Sequence, residues 1–154
     1  MFGFFKLTPR PNYNIYVSEI DKYRQVINWI KTASHNHLLV YHFDNTCKEA
    51  EQLLKAAQIA YSKDLTSGSR VLLIDSETLV KKANWPMDYW VIVLEIYPVS
   101  ARDQALMKRA AEQSHSLEFY AAIDSPFFRL FGGERHVAFM QNLNTDRTEA
   151  MSHP

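Results

Sequence analysis

Apolar residues follow two alternating rhythms along this chain. From Ser18, "SEIDKYRQVINWIK" sets Ile20, Tyr23, Ile27 and Ile30 three or four positions apart, on one face of a helix that Ser18 can cap. "HLLVYHF" (37–43) is a short unbroken run of aliphatic and aromatic residues, the mark of a buried strand. A helix is predicted next from "TCKE", where Thr46 and Glu49 have capping-box spacing, through Ala50, Leu53, Leu54 and Ala57. "SKDLTSGS" reads as a connection to a second buried strand, "RVLLID" (70–75), a short helix from Ser76, and a loop, "ANWPMD", fixed by Pro86. "YWVIVLEI" (89–96) predicts a third strand, "SARDQALMKRAAEQ" a helix with a cap at Ser100, and "LEFYAAI" a fourth strand. In "SPFFRLFGG", Ser125 caps a short helix, Pro126 suits its first position, and Gly132 or Gly133 ends it. "ERHVAFMQNL" predicts a last amphipathic helix and "NTDRTEAMSHP" a frayed tail. Short apolar strands alternating with amphipathic helices predict an α/β fold, a mostly parallel sheet with helices on both faces.

A chain of 154 residues is long enough for one substantial core and short for two, so one domain is expected. Its 47% hydrophobic and 22% charged residues fit a folded globular protein. Lysine plus arginine equals aspartate plus glutamate at 17 each, which leaves no overall basic field for nucleic acid. The single cysteine, Cys47, cannot form an internal disulfide and fits a reducing compartment, so a cytoplasmic location is expected. "MFGFFKLTPRPNYN" lacks the long apolar core and small-residue cleavage site of a signal peptide. The longest apolar run, "YWVIVLEIYPV", is interrupted by Glu95 and too short to span a bilayer, so no stable membrane insertion is expected. His35, His37 and His42 lie near Cys47, but no second pair stands at ligand spacing, and no metal is expected. No "GxSxG" elbow marks a nucleophile.

Taken in order, "NIYVSEIDKYRQVINWIK", "HLLVYHFDNTCKEAEQLLKAAQI", "ARDQALMKRAAEQ" and "LEFYAAIDSPFFRLFGGERHVAFMQNL" resemble the C-terminal RecA-like motor domain of the SecA preprotein translocase ATPase family, within the wider helicase superfamily. The resemblance spans residues 12–143 and is weakest in the middle. Asp103, Leu106, Arg109, Gln113, Phe119, Tyr120, Phe131, Gly132 and Arg135 keep the order of the family's last helicase motif and the segment after it. The resemblance implies a RecA-like three-layer sandwich. Its domain would cover residues 18–143, after an N-terminal extension at 1–17 and before a flexible tail at 144–154.

The departures from the family pattern imply lost chemistry. Ala105 stands for the motif's glutamine, Met107 for its next arginine, Lys108 and Ala111 for its glycines, and Glu112 for the arginine that reaches the γ-phosphate. A carboxylate there repels the charge an arginine finger stabilises. The earlier motif Gly-Arg-Gly-Thr-Asp is replaced by "SETLVKKANWPMD", which has no glycine for close phosphate approach. The implied function is a non-catalytic pseudo-ATPase, not an enzyme, that binds a protein partner and is tied to protein translocation or secretion. No cofactor is expected. Arg109 and Gln113 are the vestigial nucleotide-binding candidates, with Arg109 open between phosphate ligand and salt-bridge partner. Trp85, beside Pro86, is expected as an exposed interface anchor, with Phe127 and Phe128 as further interface candidates. The alternative is one half of a split ATPase that binds ATP or ADP with a partner chain. Nucleic-acid binding rests on fold analogy alone, and the balanced charge opposes it.

Overall fold

The apolar runs form strands whose side chains alternate between two helical layers. A computed structural model describes residues 11–97, 100–126 and 151–153. In chain order these form β1 (Asn12–Tyr16), α1 (Glu19–Thr32), β2 (Asn36–Tyr41), α2 (Asp44–Ala56), β3 (Val71–Asp75), α3 (Ser76–Lys81), β4 (Tyr89–Val93), α4 (Ser100–Glu112), β5 (Leu117–Ala122) and β6 (Met151–His153). The sheet order is β3-β2-β4-β5-β1-β6. Strands β1 to β5 are mutually parallel, and β6 pairs antiparallel with β1.

Both faces of the sheet are covered, which is why its central strands read as continuous apolar runs and not as alternating ones. Leu39, Leu73 and Ile92 pack against Val26 and Ile30 of α1 and Ala50 and Leu54 of α2. Their neighbours Leu38, Leu72 and Val91 face the other way, against Leu79 of α3 and Leu106 of α4. This is a three-layer α/β sandwich, as expected from the pattern of segments.

Three local expectations are corrected. Residues 12–16, placed before the domain by sequence, form β1 inside the sheet, paired with β5 from Asn12↔Glu118 to Tyr16↔Ala122. Residues 151–153, expected in a frayed tail, pair with β1 from Ile15↔Met151 to Tyr13↔His153. The apolar stripe of α1 is also rotated from the expected one. Ser18 does cap the helix, its Oγ accepting from the Asp21 amide at 3.1 Å, yet Ile20 is 70% exposed while Lys22 is only 1% exposed. The two helices expected after Ser125 fall outside the described residues.

Two buried imidazoles set an acid limit on stability. Burial, reinforced by the Arg70 guanidinium, holds His37 below its ordinary value of 6.5. Burial does the same to His115, opposed by backbone contacts at Tyr89 and Pro86. Below that ordinary value the unfolded chain binds protons that the folded chain refuses, so stability is full above about pH 6.5 and declines as pH falls through the depressed folded values. Melting temperature should therefore fall between about pH 7 and about pH 5, and His37→Leu should flatten the slope. An unchanged slope in the variant would remove His37 from this account.

Candidate functional site at the carboxyl edge of the sheet

After β2 the chain turns to β3 on one side and then crosses to β4 on the other, so the topology switches between β2 and β4. In parallel sheets the crevice outside the carboxyl ends at such a point is the usual ligand site. Here it gathers residues from six segments.

Glu95, just past β4, takes the place of the predicted capping box. Its Oε1 accepts from the amides of His42 (2.6 Å) and Phe43 (3.1 Å), and its Oε2 from the Thr46 hydroxyl (2.5 Å). Phe43, the residue at the cap position of α2, makes no side-chain cap of its own. A carboxylate from a distant strand thus satisfies donors at the start of α2 and complements the positive end of its dipole. Glu95→Ala should cost about 2 kcal/mol and Glu95→Gln about half that, because charged acceptors outweigh neutral ones. Urea melts, with hydrogen exchange at the His42 and Phe43 amides, would check this. Unchanged exchange would reject Glu95 as the cap.

Behind the cap lies a buried cluster of polar side chains. His42 Nδ1 is 2.8 Å from Ser76 Oγ, and His42 Nε2 is 2.8 Å from Asp103 Oδ1. Asp103 Oδ2 accepts from the Tyr97 amide at 3.0 Å. The residue types are those of a hydrolytic triad, but the geometry is not. The serine sits on Nδ1 and the carboxylate on Nε2, the reverse of the working order, and Ser76 is only 4% exposed. These contacts bring the end of β2 against α3 and α4. In front of them, Phe43 stacks on Tyr97 at 5.3 Å and Arg102 lies 4.5 Å over Tyr97.

The cleft itself has a volume of about 320 Å³ and is walled by Phe43, Ile96 and Ala121, with Glu19, Glu49 and Glu95 as its acids. Lys22, the one lysine among the described residues that line it, is already engaged: Nζ is 2.6 Å from Glu19 Oε2 and donates to the Leu94 carbonyl at 2.7 Å. Burial raises the Glu19 carboxyl, with Lys22 opposing that shift. Such a cleft repels phosphate and favours cations.

The nucleotide candidates lie elsewhere. Arg109 and Gln113 follow α4 down to the opposite edge of the sheet, where the strands begin. Arg109 Nη2 donates to the carbonyls of Lys82 (2.7 Å) and Ala83 (3.0 Å), and Nη1 is 2.9 Å from Glu112. Gln113 donates to Ala83 and accepts from the Trp85 amide. The two are brought together, but on the loop before β4. Trp85 is corrected from exposed anchor to core residue: it is 3% exposed and its Nε1 donates to the Leu79 carbonyl at 2.9 Å. Phe127 and Phe128 lie outside the described residues. His35, His37, His42 and Cys47 are dispersed, and among the described residues no three His, Cys, Asp or Glu side chains are grouped to hold a metal. Among the same residues no helix is long and apolar enough to cross a membrane.

Sequence reasoning missed Glu95 and Lys22 as site residues. Glu95 gave one signal, a lone carboxylate at the end of an apolar strand. Lys22 gave none, since it read as part of a solvated helix face.

No protein-family profile and no curated protein sequence matches the chain. A crystal structure of the C-terminal part of the Fun30 ATPase domain is similar to it, with a TM-score of 0.52 and 11% identity over 81% of this chain and 52% of that one. The chain thus spans about half the length of that structure. At this identity the likeness speaks for the fold alone, and with the parallel five-strand core it establishes a RecA-like α/β fold.

Proposed function

We propose that this RecA-like domain is a non-catalytic pseudo-ATPase that acts as a protein-interaction module in the cytoplasm, linked by its SecA-like segments to protein translocation or secretion. The observation that carries the reading is the engagement of Arg109. Its guanidinium is occupied by two loop carbonyls and by Glu112, the residue that stands where the motif's last arginine would be. An arginine held in this way serves the fold and is not aimed at a phosphate. The acidic cleft at the carboxyl edge supports the same reading, since three carboxylates there disfavour a triphosphate.

The test is the melting temperature of the chain with and without excess ATP or ADP and magnesium. A ligand at a hundred times its Kd stabilises the folded state by about 2.7 kcal/mol, a shift of about 5 °C or more in a chain of this size. No shift is expected. A saturable shift would favour a nucleotide-binding half of a split ATPase, and Glu112→Arg would then raise activity in the presence of the other half.

A further inference from the structure

Helices α1 and α2 leave a groove of about 720 Å³ between them on the outer side of the sheet. The sheet uses Tyr23, Val26 and Ile30 of α1 as core. Ile20 and Ile27, which share the helical spacing of that stripe, are left on the groove, with Ile20 70% exposed. Leu53 faces them from α2, and Ala56 and Ala57 are small enough for another backbone to come close. An apolar trench bounded by two helices, with small residues along one wall, has the shape that takes a third helix.

Charge selects the occupant. Glu19 and Glu49 belong both to this groove and to the acidic cleft at the carboxyl edge, so the trench runs into negative charge at that end. Glu19 is already paired with Lys22. Glu49 is exposed, has no ion pair among the described residues, and receives only a long contact, 3.5 Å, from the Tyr23 hydroxyl. Arg24, the one cation among the described residues that line the groove, is paired with Asp21 at 3.2 Å. Resting on the protein-binding reading above, we propose that the α1–α2 groove docks an amphipathic helix of a partner protein, its apolar face on Ile20, Ile27 and Leu53 and a lysine or arginine against Glu49. A lone apolar helix would leave Glu49 unused, and an acidic one would meet repulsion there.

The probe is a displayed library of helical peptides selected on the full chain, with the enriched peptides then measured by fluorescence anisotropy against wild type, Ile20→Glu and Glu49→Lys. Both side chains are exposed, so both variants are expected to fold, and circular dichroism would verify this. Enrichment should yield apolar residues at helical spacing with a lysine or arginine at one end. Ile20→Glu should weaken binding by about tenfold or more, and Glu49→Lys by a smaller, salt-dependent factor that changing the peptide's basic residue to glutamate restores. No enrichment, equal binding to Ile20→Glu, or enriched peptides without a basic residue would overturn the proposal. So would concentration-dependent self-association abolished by Ile20→Glu, which would give the groove to a second copy. The nucleotide melts separate the two readings. A shift with ATP defeats the non-catalytic reading and leaves the groove standing, whereas failed selection without a shift defeats the groove alone.

Discussion

Trp85→Ala is expected to lower the stability of the domain by about 4 kcal/mol, a large share of the roughly 5–15 kcal/mol that holds such a domain folded. The indole is 3% exposed and packs in the layer formed by Leu79 of α3 and Leu106 and Ala110 of α4. Its ring lies 5.7 Å from that of His115. Truncation removes the transfer free energy of the largest side-chain type and opens a cavity among groups fixed by two helices. It also removes one of the two donors to the Leu79 carbonyl, the Nε1 at 2.9 Å, and leaves only the Lys82 amide at 3.1 Å, at the end of α3 where helix carbonyls outnumber the amides that can reach them. Trp85→Phe keeps much of the volume and loses that donor, so a loss of about 1–2 kcal/mol is expected. Urea unfolding followed by circular dichroism measures both. A loss under about 1 kcal/mol for the alanine variant is what an exposed interface anchor would give, and would reject the core placement.

The architecture was legible because burial on both faces of a parallel sheet writes itself into the chain locally. "HLLVY", "VLLI" and "YWVIV" are unbroken apolar runs, and each is a strand with alternate side chains in opposite layers. The features that were not legible depend on partners far away in sequence. Residues 12–16, Asn-Tyr-Asn-Ile-Tyr, are only partly apolar and lie close to the start of the sequence, and their role appears only when β5 is placed beside them. Trp85 next to Pro86 looks like an exposed turn until Gln113, twenty-eight positions on, is seen holding its amide. Thr46 and Glu49 have capping-box spacing, but the cap comes from Glu95, and Thr46 turns its hydroxyl to that carboxylate. The ends of α2 and α4 were hidden for a different reason. Gln58 and Ser114 take φ values of 56° and 59° there, a left-handed turn that glycine usually announces. A stripe that looked like core by spacing is partly surface, because the sheet has room for only part of it.

Lys22→Ala is expected to cost about 2 kcal/mol, since it removes the buried member of an ion pair and leaves its partly exposed partner, Glu19, without the opposing charge. Lys22 is 1% exposed, with Nζ held by Glu19 Oε2 and the Leu94 carbonyl, and it lies 4.4 Å from the centre of the Tyr23 ring. Lys22→Met keeps the packing of the stem and removes only the charge, so about half that loss is expected. The difference between the two variants separates the stem from the ammonium. Glu19 adds a pH signature. Burial already raises its carboxyl, and Lys22 is the main influence opposing the rise. Without Lys22 the folded-state value climbs further above the unfolded one. The folded chain then retains a proton that the unfolded chain releases, so stability falls as pH rises through that window. The deficit of Lys22→Met should therefore be larger at about pH 7 than at about pH 4, and adding Glu19→Gln should recover part of it at the higher pH. Urea melts of the two single variants and the pair at both pH values test this. A deficit independent of pH, or no recovery in the pair, would mean that Lys22 acts through the Leu94 carbonyl alone. Glu19 would then be a free carboxylate at the junction of the cleft and the groove, and would join Glu49 in receiving a partner's basic residue.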